Sequence, residues 1–350
     1  LMTNIPDDVS ELIQELRLTS KAGGHLLWVL GAFYQDMDQD LFQDMPAPGF
    51  DAQTDGLAAS AGFPDNLFVG RYNYTLEQFA LYGDVSYSVT DRLEVSAGAR
   101  WFDIDRDYSA DTQGLFAADP FASGAAHETG LMPRFSVRYD ATDTITLYAS
   151  AAEGFRSGGV NTTEGSNLPE CLDELAADGF SAYPVSYASD SLWSYELGAK
   201  TRWRNGRMQL NTAVYHIDWS DMQTTKFLDC GVFFVVNAGN VDSDGVELDL
   251  AMYPTDALAV NLALNYNEAE LRDDVPGVGG HAGDRTPGAP RFTGSLGVSY
   301  DFPAFGREGF IHANYQYVGM SYNVFDPAIR RELPSYDLTS LQAGLDGMQW

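Results

Sequence analysis

Gly245-Val-Glu-Leu-Asp-Leu-Ala-Met-Tyr253 sorts its side chains completely. Successive side chains of a strand point to opposite faces. Val246, Leu248, Leu250 and Met252 therefore share one face, and Glu247 and Asp249 the other. After a short polar turn at residues 254–257 the pattern resumes, with Leu258, Val260, Leu262, Leu264 and Tyr266 opposite Ala259, Asn261, Ala263 and Asn265. Two such runs across a tight turn describe an antiparallel hairpin with one apolar face and one small or polar face.

The same alternation fits Thr144 to Ser150 and Arg291 to Tyr300. Between the strand-like runs, small polar turns at 21–24, 90–92, 140–143, Asn205-Gly206 and 254–257 alternate with long segments near 37–73, 106–126, 156–190, 219–240 and 271–290. Those segments are rich in Asp, Gly, Pro, Ser and aromatics. Short turns at one end of an up-and-down antiparallel sheet and long loops at the other are the plan of an outer-membrane β-barrel. A soluble β-sandwich also alternates. Two features oppose it: the strands read as about 10 to 13 residues, long enough to cross a bilayer at a tilt, where globular strands average about 5 to 6. Aromatics also gather near the strand ends, among them Trp101, Tyr139, Trp193, Tyr195, Tyr266 and Tyr300, as in the girdles of a membrane barrel. The expectation is all-β: an antiparallel up-and-down transmembrane β-barrel of about 13 strands. Val246, Leu248, Leu250, Leu258, Val260 and Leu262 are expected to face lipid, and Glu196, Lys200, Glu247, Asp249 and Asn261 the lumen.

Composition is compatible with that plan. The 350 residues are 45% hydrophobic, mean hydropathy is −0.22, and no run of 18 apolar residues marks a spanning helix. No linker separates differently composed halves, so residues 1–350 read as one unit. Fifty acidic against 20 basic residues give a net charge of −30, which argues against a nucleic-acid partner. The opening Leu1-Met-Thr-Asn-Ile-Pro lacks the basic start and apolar stretch of a signal peptide. Strand pattern is already under way at Glu15 to Ser20, and Leu341 to Trp350 stops as another turn begins, so the chain reads as a fragment at both ends.

Cys171 and Cys230 are the only cysteines. The alternation of turns and loops places their two loops at the same rim, flanking one hairpin. The expectation is a disulfide above that rim, with two free thiols as the alternative. Catalytic motifs fail one by one. Gly277-Val-Gly-Gly-His281 leads into no helix, so it is no dinucleotide loop. Asp36-x-Asp38-x-Asp40 opens like a calcium loop, but Leu41 and Ala47 stand where the turn glycine and the bidentate Glu belong. Five scattered histidines and the absence of paired nucleophile and base indicate no enzyme, no resident metal and no cofactor.

Tyr148-Ala-Ser-Ala-Ala-Glu-Gly-Phe-Arg-Ser-Gly-Gly-Val-Asn161 resembles the Y-x-S-x-x-x-G-F-(R/K)-x-G-G-x-N stretch of TonB-dependent outer-membrane receptors. Glu15-Leu-Arg-Leu-Thr-Ser20, Tyr195-Glu-Leu-Gly-Ala-Lys200, Asn237-Ala-Gly-Asn240, Gly245-Val-Glu-Leu248 and Pro290-Arg-Phe292 are similar to further family segments, in order along most of the chain. The resemblance implies the barrel portion of a 22-stranded monomeric receptor in the Gram-negative cell outer membrane. Its partners would be outer-membrane lipid, the TonB complex through an N-terminal region, and a small-molecule ligand such as a ferric siderophore or similar metal chelate. This sequence departs from the family in carrying no plug domain and no closing C-terminal strand. A passive porin and a soluble all-β adhesin are the competing functions. Within the resemblance, the loop aromatics Phe68, Tyr72, Tyr74, Tyr183, Tyr187, Tyr322 and Phe325 offer surface suited to flat rings of a ligand, or else they pack the loops. Arg156 caps carbonyls, meets a plug or meets ligand.

Overall fold

The computed structural model describes residues 3–21, 23–115, 117, 121–161 and 169–345. Thirteen strands form one antiparallel sheet in strict sequence order, which replaces the sandwich alternative. We number them β1 (Asp7–Thr19), β2 (Leu26–Pro46), β3 (Asn66–Thr90), β4 (Leu93–Gln113), β5 (Phe121–Thr142), β6 (Ile145–Arg156), β7 (Asp190–Trp203), β8 (Met208–Ser220), β9 (Val241–Thr255), β10 (Leu258–Leu271), β11 (Phe292–Ala304), β12 (Arg307–Val318) and β13 (Tyr336–Leu345). Six short turns alternate with six longer connections, and none of the described helices is long and apolar enough to cross a membrane.

Strand length departs from expectation. β2, β3, β4 and β5 run 21, 25, 21 and 22 residues, because stretches read as loops, 37–46, 66–73, 106–113 and 121–126, continue the sheet. Their polarity suggested coil, yet a strand that rises beyond an apolar layer has water on its outer face and needs no apolar residues there. Asp36, Asp38 and Asp40 thus lie on one face of β2, with Asn73 Nδ2 donating to Asp38 and Asp40 at 3.0 and 3.1 Å, and not in a calcium-type loop. The sequence pattern at 346–350 lies outside the described residues.

Register fixes which residues share a face. Leu248 pairs with Leu264, Leu250 with Leu262 and Met252 with Val260. Leu262 then pairs with Leu296, and Leu296 with Tyr315. This outer face carries the exposed Leu81, Val85, Leu131, Phe135, Leu147, Leu197, Val214, Val246 and Leu296. Aromatics bound it on single strands at constant spacing: Tyr87 and Phe79, Trp203 and Tyr195, and Tyr300 and Phe292 are each eight residues apart. At about 3.3 Å per residue and a tilt of about 40°, that spans roughly 20 Å of height, close to the apolar band of membrane barrels. Between the bounding aromatics the outward positions of β7 are Leu197, Ala199 and Thr201, and those of β11 are Gly294, Leu296 and Val298, without a charge.

The opposite face is polar. Tyr148 donates to Glu196 at 2.5 Å, Lys200 Nζ lies 5.3 Å from the Tyr148 ring centroid, and Arg134 pairs with Asp84 at 2.5 Å. Tyrosines lie flat over glycines of the next strand: a Cβ at Gly198 would sit 2.4 Å from the Tyr148 ring, and one at Gly245 would sit 2.1 Å from Tyr215. Only glycine admits that approach. This is the physical reason for the glycines in the Tyr195–Lys200 and Gly245–Leu248 segments.

Turn chemistry closes the short rim. Asn205 and Gly206 adopt positive φ (55° and 85°), as that dipeptide favours, and Arg204 joins them at 52°. A sixth short turn, missed in the sequence, uses Phe305 and Gly306 at 52° and 73°. Phenylalanine is a poor signal for the left-handed region.

Candidate ligand-binding cap

Four of the longer connections merge into one body at the long-loop rim. The helix Pro169–Ala177 lies in the connection between β6 and β7, and the hairpin Gln223–Phe227/Phe233–Asn237 in the connection between β8 and β9. Cys171 of the helix is bonded to Cys230 at the hairpin tip, with Cα atoms 5.6 Å apart. The bridge is the one the loop topology suggested. Around it Leu175, Met222, Leu228, Phe234, Val236, Ala238 and Val241 pack with Leu271, Val278 and Phe325. Phe325 comes from the β12–β13 connection, a loop to which the sequence reading assigned Tyr322 and Phe325 without giving its bounds. Lys226 pairs with Asp178 at 2.7 Å, and the amide of Asp229 donates to the Glu174 carboxylate at 2.8 and 2.9 Å. Burying this apolar surface stabilises the loops in a way open loops cannot match.

The segment from Gly154 to Asn161 fastens that body to the sheet. Arg156 forks onto Asp190, which accepts its Nε at 3.0 and 3.1 Å and also the Gln223 amide at 3.0 Å. The guanidinium lies 4.9 Å from the Trp219 ring centroid. Gln223 Nε2 returns the contact to the carbonyls of Ser157 and Ala188 at 3.1 and 3.0 Å. Gly158 donates to Glu128 at 3.0 Å, and a Cβ on Gly158 would meet the Tyr187 carbonyl at 2.4 Å. Asn161 donates to the carbonyls of Pro184 and Val235 at 3.0 and 2.8 Å and accepts the Val235 amide at 2.8 Å. Arg156 thus has a structural latch as its observed role. Its partners Asp190 and Gln223, and Glu128, which accepts the Gly158 amide, were not anticipated, because each lies outside the motif and meets it only through the fold.

The sequence-selected aromatics separate into groups. Tyr72 and Phe68 are buried on β3 in a second cluster with Tyr108 and Ala110, and Tyr74 packs against it with its ring 4.8 Å from that of Tyr108. They belong to the strand extension and not to loops. Tyr183 packs edge-on to Phe234 and donates to the Phe233 carbonyl at 3.0 Å. Phe325 is buried in the cap. Tyr187 and Tyr322 remain partly exposed. Tyr322 has cationic neighbours, with the guanidinium of Arg330 at 5.1 Å and that of Arg285 at 5.9 Å from its ring centroid. Arg330 also contacts Asp284 at 3.2 Å.

The connection between β2 and β3 is organised separately by Asp51. Its carboxylate accepts amides of Ala58 at 2.7 Å, Ala59 at 3.0 Å and Asp65 at 2.7 Å. Desolvation pushes this carboxyl up, but the backbone amides of Asp65, Ala59 and Ala58 together outweigh it and hold the pKa below the usual aspartate value.

Comparison with known proteins agrees with this architecture. A family model described as TonB dependent receptor-like, beta-barrel matches residues 4–349. The pesticin receptor of Yersinia enterocolitica is 23% identical over 300 residues, covering 85% of this chain and 39% of that receptor. The metal-pseudopaline receptor CntO of Pseudomonas aeruginosa is 27% identical over 217 residues, 60% of this chain and 26% of that one. The chain therefore spans well under half the length of these curated relatives. Among solved structures, the ferric yersiniabactin uptake receptor FyuA from Yersinia pestis superposes with a TM-score of 0.75 at 20% identity, covering 98% of this chain and 47% of its own. Receptors and transporters fill this neighbourhood, and the family's members are β-barrels of the outer membrane. The chain belongs to the TonB dependent receptor-like β-barrel family.

Proposed function

We propose that this chain forms the barrel of an outer-membrane receptor that takes up a scarce metal chelate of the siderophore kind, with energy delivered by TonB. The observation that carries the reading is the cap. Four connections are welded by a disulfide, an apolar core and the Arg156–Asp190 latch into one body above the polar face of the sheet. A preorganised rim of this kind lowers the ordering cost of binding. In this reading the belt contacts outer-membrane lipid, the polar face lines the lumen, and the protein works as a monomer. TonB acts through an N-terminal region of the whole receptor.

Tyr322, flanked by Arg285 and Arg330, supplies an aromatic face with positive charge, and Tyr187 adds a second, partly exposed ring. That pairing suits an anionic chelate with planar donor groups. Tyr72, Tyr74 and Tyr183 act by shaping the walls behind. Uptake of radiolabelled ferric chelates by cells expressing the full-length gene, in strains with and without TonB, tests the reading. Saturable, TonB-dependent uptake that falls about tenfold or more in an Arg285→Ala/Arg330→Ala double variant is expected, since bonds to charged groups contribute about 1.5 to 3 kcal/mol. Non-saturable uptake independent of TonB would make the protein a passive porin.

A further inference from the structure

Two walls of the sheet rise beyond the belt, and they solve the same electrostatic problem differently. On the outer face of β8, β9 and β10, Asp218 pairs with Asp242, and Asp242 with Glu270, so three carboxylates stand directly opposite one another. Like charges in that position are destabilising. Arg272 bridges Asp218 at 2.8 Å and Asp242, and Arg291 bridges Glu268 and Glu270, the latter at 3.0 Å. That wall carries its own cations.

Across β2 to β5 the outer face repeats the row: Asp36 pairs with Glu77, Glu77 with Asp105, and Asp105 with His127. Here no arginine or lysine takes the bridging place. Among the described strand residues, the nearest basic side chain on that face of β3 is Arg71, six residues along from Glu77 and thus about 20 Å away at the rise of a strand. Arg100, Arg106 and Arg134 alternate onto the opposite face. What occupies the position instead is an imidazole: His127 Nδ1 lies 2.8 Å from Asp105 Oδ1 and 3.7 Å from Asp103 Oδ1. The three candidate ligand atoms all fall within 4.8 Å of one another.

We propose that Asp103, Asp105 and His127 form a surface site for a divalent cation of the zinc class, which takes the role that Arg272 and Arg291 play on the other wall. The dimensions fit. Donors bound tetrahedrally at about 2.1 Å from one ion stand about 3.4 Å apart, so the observed separations require only small side-chain rotations. One neutral imidazole with two carboxylates selects a borderline ion over calcium or magnesium, which prefer all-oxygen sites. Water completes the coordination, since His127 and Asp105 are exposed. The ion would tie β4 to β5 at the Asp105–His127 pair, four residues along the ladder from the Trp101–Leu131 pair.

Isothermal titration of the full-length gene product in detergent, with zinc chloride as the probe, tests the site. Cobalt substitution, read by its visible absorption, reports whether nitrogen ligates. One zinc per chain is expected, with affinity weakened at least tenfold in Asp105→Asn and in His127→Ala, and unchanged in His216→Ala on the arginine-bridged wall. Heat-modifiable gel mobility confirms that each variant retains its barrel. Absence of stoichiometric zinc, binding indifferent to His127→Ala, or equal competition by calcium would overturn the proposal.

Discussion

The belt and the cap use the same kinds of side chain under opposite conditions. In the belt, Leu197 is 60% and Leu131 59% exposed, whereas in the cap Phe234 is 1% and Val241 0% exposed. The cap is built like a small soluble domain, closed on itself and cross-linked, because water surrounds it. The belt is inside out, because its solvent is hydrocarbon. The comparison teaches that apolar residues in this chain must be read against the medium each segment meets, and it orders the expected effects of change.

The largest effect belongs to the cap. Phe234→Ala removes a fully buried ring and should cost about 3 to 5 kcal/mol of cap stability, read as faster amide exchange in 169–177 and 223–237 with β7 to β11 unaffected. If β7 to β11 open together with the cap, the two regions are a single cooperative unit. Cys171→Ser acts on the same body. Closing 59 residues is worth about 4 kcal/mol at most in the chain-entropy model, so the loops around residues 171 and 230 should become protease-sensitive while the barrel keeps its gel mobility. Unchanged cleavage kinetics would show that the apolar core alone holds the cap.

In the belt the sign of the side-chain preference reverses. Leu248→Arg should cost about 2 to 4 kcal/mol in a refolding titration into lipid vesicles, and Asp249→Arg far less. Comparable losses at both positions would erase the distinction between the faces. A smaller, pH-dependent effect is confined to 47–65. The Asp51 pKa is depressed in the folded protein, so its contribution is present above the unfolded aspartate value of about 3.9 and is lost as pH falls through the lower folded value. Protection of amides in that connection, taken relative to their intrinsic exchange rates at each pH, should fall as pH drops below about 3.9, and Asp51→Asn should show the reduced protection already at neutral pH. The smallest effect lies at the short rim, where Phe305 holds φ at 52° and is 95% exposed. Phe305→Asn should stabilise by up to about 1 kcal/mol, because asparagine tolerates that conformation. A loss of stability there would mean that the ring has a partner in the membrane or periplasm.

How much of this was legible in the sequence follows from the same contrast. The period-two sorting of Gly245 to Tyr266 gave the hairpin and its faces directly, since alternation is local. Strand ends above the belt were misread: Asp36, Asp38 and Asp40 keep the alternation with Met37, Gln39 and Leu41, but their polarity imitated a loop. Tyr72 and Tyr74 were assigned to that loop and instead line the inner face of β3. The Cys171–Cys230 bridge could be anticipated because the order of turns and loops places both residues at one rim. The Arg156–Asp190–Gln223 latch could not, because its members are brought together only by loops that return to the rim.

Central to the whole reading is that one face of the sheet meets lipid and the other the lumen. Single cysteines placed in turn at 246 to 252, carrying a nitroxide, report this directly in bilayers; the native cysteines are bonded to each other and do not react. Lipid-soluble oxygen should relax the label most at 246, 248, 250 and 252, and a water-soluble nickel chelate should do so at 247, 249 and 251. Accessibility without a period of two, or the opposite phase, would contradict a membrane barrel with the faces assigned here.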